Sequence, residues 1–161
     1  MAEWVDPEVW WAKAPHVFMS AACLVSNGNP DDGAVLLVKP SYRAYWQLPG
    51  GIVEHAERPQ SAAARELSEE AGVVTAVPDR LLVMHWMPPR GDRPVPMLNW
   101  IFHAPAVQGF PKVVSPGEIS DVQFVQWDQA EKLLSVEDAP RLPAARQALR
   151  QDHTVYISDS L

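Results

Sequence analysis

One run of thirteen residues, Pro59–Ala71, constrains the fold of this chain more than any other. Its residues are good helix formers, and Gly72 stands just past the end, where a glycine C-cap terminates a helix. At about 100° per residue, Glu66, Glu69 and Glu70 fall within one arc of about 100°, while Ala64, Leu67 and Ala71 fall on a separate apolar arc. One face therefore binds and another packs. Three carboxylates on one face repel each other, at some tenths of a kcal/mol per pair, and a cation relieves that cost. Oxygen-only ligands with no His or Cys nearby suit a hard ion, Mg²⁺ or Mn²⁺, and not zinc. Arg65, four residues before Glu69, is placed to hydrogen-bond it and fix the carboxylate. The plainer reading is a solvated acidic face beside an exposed ion pair. The neighbouring Gly50-Gly51, whose backbone can approach a ligand closely, and the turn at Gly72 favour the metal.

The flanking sequence supplies the layers on which such a helix packs. Residues 17–25 and 34–38 are β-rich runs around a turn-rich 26–33, and read as two strands and a loop. Leu81–Met87, 97–104 and 122–127 are further strands, the first two separated by Pro88, Pro89, Pro94 and Pro96. Asp6-Pro7-Glu8 offers an N-cap, a proline at the first helical position and an acid in the first turn, which predicts a short helix over Pro7–Lys13. Asp128 is expected to cap a helix through Leu134, and 143–150 to form a last one. The order of helix, strands, central helix, strands and C-terminal helices predicts an α/β (α+β) sandwich with a mixed sheet. At 161 residues the chain has about the length of one domain, with an N-terminal helix in 1–15 and C-terminal helices and tail in 128–161.

Composition removes several classes. Twenty Asp and Glu against thirteen Lys and Arg leave a net charge of −7, so a general grip on nucleic-acid phosphates is not expected and an anionic partner needs a metal. The single cysteine, Cys23, can form neither an internal disulfide nor a Cys-rich zinc site, and in its apolar run it reads as a buried thiol. Residues 1–12 have no basic head followed by an apolar stretch, and nothing approaches the roughly 18 apolar residues of a membrane span, so a cytoplasmic protein is expected. Asn27, Asn29 and Asp31 have the spacing of calcium-loop ligands. However, Asp32 replaces the required glycine, Pro30 intrudes and no helices flank the loop, so turn chemistry is the better reading.

Read from Gly51, the chain gives Glu57, then Arg65-Glu66-Leu67, then Glu69-Glu70, Gly72 and Val73. This resembles the Nudix hydrolase signature with all nine specified positions filled, and a chance match is on the order of 10⁻⁸ at ordinary residue frequencies. The preceding Trp46-Gln47-Leu48-Pro49-Gly50 is similar to the family's lead-in. The resemblance implies a Nudix-type α/β/α sandwich with the signature loop and helix. It also implies hydrolysis of a nucleoside diphosphate linked to another moiety. It makes Glu66, Glu69, Glu70 and the Gly50 carbonyl the metal ligands, and gives Glu57 a mainly structural role. Arg58 departs from the Ser, Thr or Asp that often caps this helix.

The base is open between Glu66 or Glu69 and Glu118, the latter in a loop before a strand. For substrate contacts the candidates are Trp46 and Gly51 beside the metal loop and Trp86 and Trp100 in strands, with core packing the competing role for the three tryptophans. Tyr42 and Tyr45 precede the same loop. His85 and His103 read as structural. Pro88, sixteen residues beyond Gly72, resembles a feature of the ADP-ribose pyrophosphatase subgroup. A nucleotide-derived small molecule is the expected partner, ADP-ribose-like or a nucleoside triphosphate, without nucleic acid or membrane, and with a homodimer as a possible assembly. Two other classes compete. A non-catalytic Nudix-fold nucleotide-binding or regulatory module typically loses signature glutamates, all of which are kept here. A Nudix-fold isomerase would need a catalytic cysteine, for which Cys23 is poorly placed.

Overall fold

Strands that are apolar at nearly every position need cover on both faces of their sheet, and the architecture supplies it. The computed structural model describes residues 4–91 and 93–160. After α1 (Pro7–Lys13), the strands β1 (Phe18–Leu24), β4 (Gly50–Ile52), β5 (Leu81–Met87), β6 (Met97–His103) and β8 (Val155–Ser158) form a mixed sheet. Its order is β4-β1-β6-β5-β8, with β1/β6 and β5/β8 parallel and the other pairs antiparallel. A second, antiparallel sheet holds β2 (Ser26–Asn27), β3 (Ala34–Pro40) and β7 (Ile119–Gln126). The two meet where Leu36 N–H donates to the Val25 carbonyl at 2.9 Å.

Alternation along the central strands sorts the core into two layers. Ala21, Cys23, Leu36 and Val38 pack with Ala62, Ala63, Leu67 and Ala71 of α2 (Pro59–Ala71). Ala22, Leu24, Val35 and Leu37 face the other way, toward Trp127 and Ala130 of α3 (Trp127–Leu133) and Leu142, Ala145 and Ala148 of α4 (Arg141–Gln151). The result is the expected α/β/α sandwich, its middle layer made of the mixed sheet and the smaller antiparallel one.

The helices α1 and α2 and the strand β5 keep their expected bounds, while other elements move. Gly50 and Gly51, read as loop, form β4 against β1, because the glycine at 50 removes the clash a side chain would have with Ala21 and Ala22 of β1. Nothing foretold β8, a four-residue edge strand. Asp128 does not cap α3: Gln126 holds the cap position with no side-chain bond, and Asp128 lies in the first turn, 3.1 Å from Arg146 Nη1. The last helix starts at Arg141, two residues earlier than the proline signal suggested. In the 26–33 turn, Asn29 Oδ1 accepts from Asp31 and Asp32 N–H and Asn27 Oδ1 from Ala34 N–H, which is turn chemistry. Arg58 provides no side-chain cap to α2, as its residue type implies.

Candidate active site

Two glycines let a strand and a helix approach closely enough to share their polar groups. A Cβ on Gly50 would lie 2.4 Å from the Ala21 carbonyl oxygen, and one on Gly51 would lie 2.3 Å from Glu66 Oε1. The first absence lets β4 pair with β1, and the second lets α2 set Glu66 against the strand. Gly50 N–H donates to Glu70 Oε2 at 2.8 Å. At the far end of α2, Gly72 adopts φ 68°, a left-handed cap, and its N–H donates to Ser68.

Arg65 organises the acids. Nε and Nη2 donate to Glu57 at 3.0 and 3.1 Å, Nη1 to Glu66 at 2.8 Å and Glu69 at 3.0 Å, and Nη2 also to the Ile52 carbonyl at 3.2 Å. All five guanidinium N–H groups are used. Glu57, rather than Glu69, is the main partner, and it accepts from Glu54 N–H as well, so it ties the loop to the helix. Glu54 itself is exposed.

Burial separates the carboxylates. Glu70 is only 9% exposed and lies between the apolar face and Glu66, so the acids border the packed face and the buried arc centres on Ala63, Leu67 and Ala71, with Ala64 at its edge. Burial pushes the Glu70 carboxyl up to about 8, opposed by the Gly50 hydrogen bond and reinforced by the charges of Glu66, Glu118 and Glu69. Glu66 is also raised, mainly by burial, against the pull of Arg65. Arg65 holds Glu57 below the usual carboxylate range. Glu118 is exposed on the turn before β7, where its carbonyl accepts from Ser41 N–H at 2.7 Å, and its charge reaches Glu70 from outside the helix.

Among the described residues no three His, Cys, Asp or Glu side chains converge on one point. Arg65 draws Glu66 and Glu69 to itself, and Gly50 holds Glu70. The chemistry of the donor set still fits a hard cation: the cluster is all carboxylate, its charges crowd one another, and Glu69 is solvent-facing and can swing.

On the α3/α4 side of β1, β5 and β6 lies an open cleft of about 640 Å³ that runs from Gly50 and Gly51 to Arg141, a size usual for small-molecule sites. Tyr42 and Tyr45 stand at it, both exposed. Trp46 does not: it is half-buried against the α3/α4 core layer, and its backbone N–H donates to the Leu133 carbonyl at 3.0 Å. Trp86 and Trp100 require correction as pocket residues. The register pairs Trp86 with Leu98 and Met84 with Trp100, which puts them on one face, while His85, Asn99, Met87 and Met97 share the other, the face of the cleft. Trp100 packs on the α2-side layer, with its Nε1 buried and unpartnered among the described residues.

Residues not foreseen occupy the cleft instead. Asn99, the one polar residue within Met97-Leu98-Asn99-Trp100-Ile101-Phe102, and Arg141, at the start of α4, both line it. His85 is fully buried behind them, its Nε2 3.0 Å from Asp159 Oδ1. A polar residue alone in an apolar strand is the one signal that marked Asn99; Arg141 left none. His103 is on the same strand as Asn99, and burial lowers its basicity. Cys23 is buried on β1, with burial pushing its thiol up to about 12.

Known proteins share the sequence family and the fold. The NUDIX domain model matches residues 17–146. The phosphatase NudJ of Escherichia coli K12 is 33% identical over 139 residues, covering 84% of this chain and 82% of that protein. The solved MutT NUDIX hydrolase from Burkholderia pseudomallei superposes with a TM-score of 0.69 at 21% identity, over 80% of this chain and 98% of that one. The NUDIX domain of Shewanella oneidensis NrtR, solved with ADP ribose, gives 0.68 at 18% identity, over 90% and 99%. A model match across most of the sequence, together with the filled signature from Gly51 to Val73, places the chain in the Nudix hydrolase family.

Proposed function

We propose that this protein hydrolyses the diphosphate linkage of a nucleoside diphosphate joined to another moiety, an ADP-ribose-like compound or a nucleoside triphosphate, with Mg²⁺ or Mn²⁺ as cofactor. The observation that carries the reading is the Arg65-ordered carboxylate cluster set against β4, whose glycines also form the rim of the cleft. Water attacking phosphorus is repelled by the anionic oxygens, and a chain of net charge −7 has no cationic surplus to offset them. Glu66, Glu69, Glu70 and the Gly50 carbonyl would hold the ion, which supplies charge neutralisation and a more acidic water. The chain's own residues do the rest. Arg65 orients Glu66 and Glu69, Gly50 N–H orients Glu70, and Glu66, Glu69 or Glu118 takes the proton from the attacking water. Gly51, Tyr42 and Tyr45 border the nucleotide. No helix among the described residues is long and apolar enough to cross a membrane.

The test is incubation with a panel of nucleoside diphosphate derivatives and triphosphates in Mg²⁺, reading phosphate after phosphatase coupling. Turnover on at least one class, lost on chelation, is expected. Retained nucleotide binding with no turnover on any member would leave a binding module in its place.

A further inference from the structure

Two side chains of the cleft hold hydrogen-bonding capacity that the protein leaves unused. Asn99 is 6% exposed; its Nδ2 donates to Ser20 Oγ at 2.7 Å, and its Oδ1 has no partner among the described residues. A buried amide acceptor is costly to leave unpaired, and such groups in folded proteins ask for a reason. Arg141 donates Nε to His85 Nδ1 at 3.1 Å and Nη2 to the Met87 sulfur at 3.0 Å, and its Nη1 forms an ion pair with Asp138 Oδ1 at 2.5 Å. Of its five N–H groups, only two meet strong acceptors and one meets a thioether. His85 accepts at Nδ1, so its proton sits on Nε2 and faces Asp159. That arrangement fixes the guanidinium from behind.

The two groups are neighbours. Asn99 stands opposite His85 in the β5–β6 register, and Arg141 is bonded to His85, so the two cleft-lining groups flank the same histidine. Around them the lining mixes apolar Leu48, Met87, Met97, Ile101, Leu134 and Val136 with polar and charged side chains, Arg93, Glu137 and Asp138 among them. A ribose offers hydroxyls on every side, and a phosphate offers acceptors alone. An apolar disc whose edge carries a donor beside an acceptor is an amino-substituted heterocycle.

We propose that the floor of the cleft takes the amino-bearing edge of a heterocyclic base, with Asn99 Oδ1 accepting from the exocyclic amine and Arg141 donating to the adjacent ring nitrogen or carbonyl oxygen. Asn99 reaches the ligand by rotation of its amide, and the hydrogen bond at stake is the one to Ser20. The proposal builds on the diphosphate-hydrolase reading, and its test does not depend on turnover.

The test compares bases that differ only in amine against carbonyl. Binding of CMP against UMP and AMP against IMP is measured by calorimetry without metal, on the full chain and on Asn99→Leu and Asn99→Asp. The intact chain should favour the amino partner of at least one pair by about tenfold or more. Asn99→Leu should bring that ratio close to one with an unchanged or higher melting temperature. Asn99→Asp keeps an acceptor and should keep the preference. Equal binding of both partners in both pairs by the intact chain, or a preference that survives Asn99→Leu, overturns the proposal. A base preference without turnover of any diphosphate would sink the hydrolase reading and leave this one standing; turnover without base preference would do the reverse.

Discussion

The acid border of α2 and the cleft on the opposite face of the sheet share one strand, β4, and are built by opposite means. The border is local and charged: Glu57, Arg65, Glu66, Glu69 and Glu70 lie within fourteen consecutive residues, and one guanidinium touches four of its own neighbours. The cleft is assembled from residues near 20, 45, 50, 87, 99 and 140, and mixes apolar side chains with polar and charged ones drawn from distant parts of the chain. A change at the border is therefore felt through charge, and a change in the cleft through shape and hydrogen bonding. Reaction rate should follow the first and substrate choice the second.

The largest separation between the two should come from Glu70→Gln. The substitution keeps an acceptor for Gly50 N–H and removes the most buried carboxylate charge. Turnover in Mg²⁺ should fall by about 10³-fold, equivalent to about 4 kcal/mol of transition-state stabilisation, with base binding unchanged. Full activity across the Mg²⁺ range would show that Glu70 is no ligand. The same residue gives a pH signature. Its folded value of about 8 lies above the ordinary 4.5, so the stability gained from holding it protonated is complete below 4.5 and is lost as pH rises toward about 8. Melting temperature in chelator should therefore fall between pH 5 and 9. The slope should flatten in Glu70→Gln, leaving the smaller contribution of Glu66, which is shifted in the same direction. Mg²⁺ should restore wild-type stability at the alkaline end.

Glu118→Gln tests the border from outside the helix. If Glu118 takes the proton, kcat should fall by about 10²-fold and the acid limb of its pH profile should move, while the Mg²⁺ dependence stays put. An unchanged pH profile would assign the base to Glu66 or Glu69. Arg65→Lys comes next. A single ammonium cannot serve Glu57, Glu66, Glu69 and the Ile52 carbonyl together, and Arg65, Glu57 and Glu66 are largely shielded from solvent while Glu69 is exposed. Stability should drop by about 2 kcal/mol, less than for a fully buried pair, and a denaturant titration reads it. A loss below about 0.5 kcal/mol would put Arg65 among ordinary surface ion pairs.

Why the border was legible in the sequence and the cleft was not follows from the same contrast. Helical spacing alone brings Glu66, Glu69 and Glu70 together and sets Arg65 beside Glu69. It does not reveal that Glu70 turns inward or that Glu57 is the main partner of Arg65, because both depend on how β4 docks. Strand alternation sorts the residues within β5 and within β6, but neither the register that pairs the two strands nor the face that holds the cleft is written in it. Trp86 and Trp100 were thus as eligible as Asn99 until α2 and α4 were placed. The edge strand β8 rests on pairing with β5 some seventy residues away, and a four-residue run carries too little pattern to announce that.

The smallest effect should come from Trp100→Phe, which tests whether the α2 side of the sheet is truly silent toward substrate. The indole packs in the α2-side layer with its N–H buried and unpaired. Replacing it by phenyl removes an unsatisfied donor, a gain of about 1–3 kcal/mol, and leaves a void in the packing at a cost of similar size. Net stability should change by less than about 1 kcal/mol for that reason, and kcat/KM toward every nucleotide should match the parent. A selective rise in KM for one base would mean that this ring reaches the ligand after all, and the division of labour between border and cleft would then have to be redrawn with the strand face reversed.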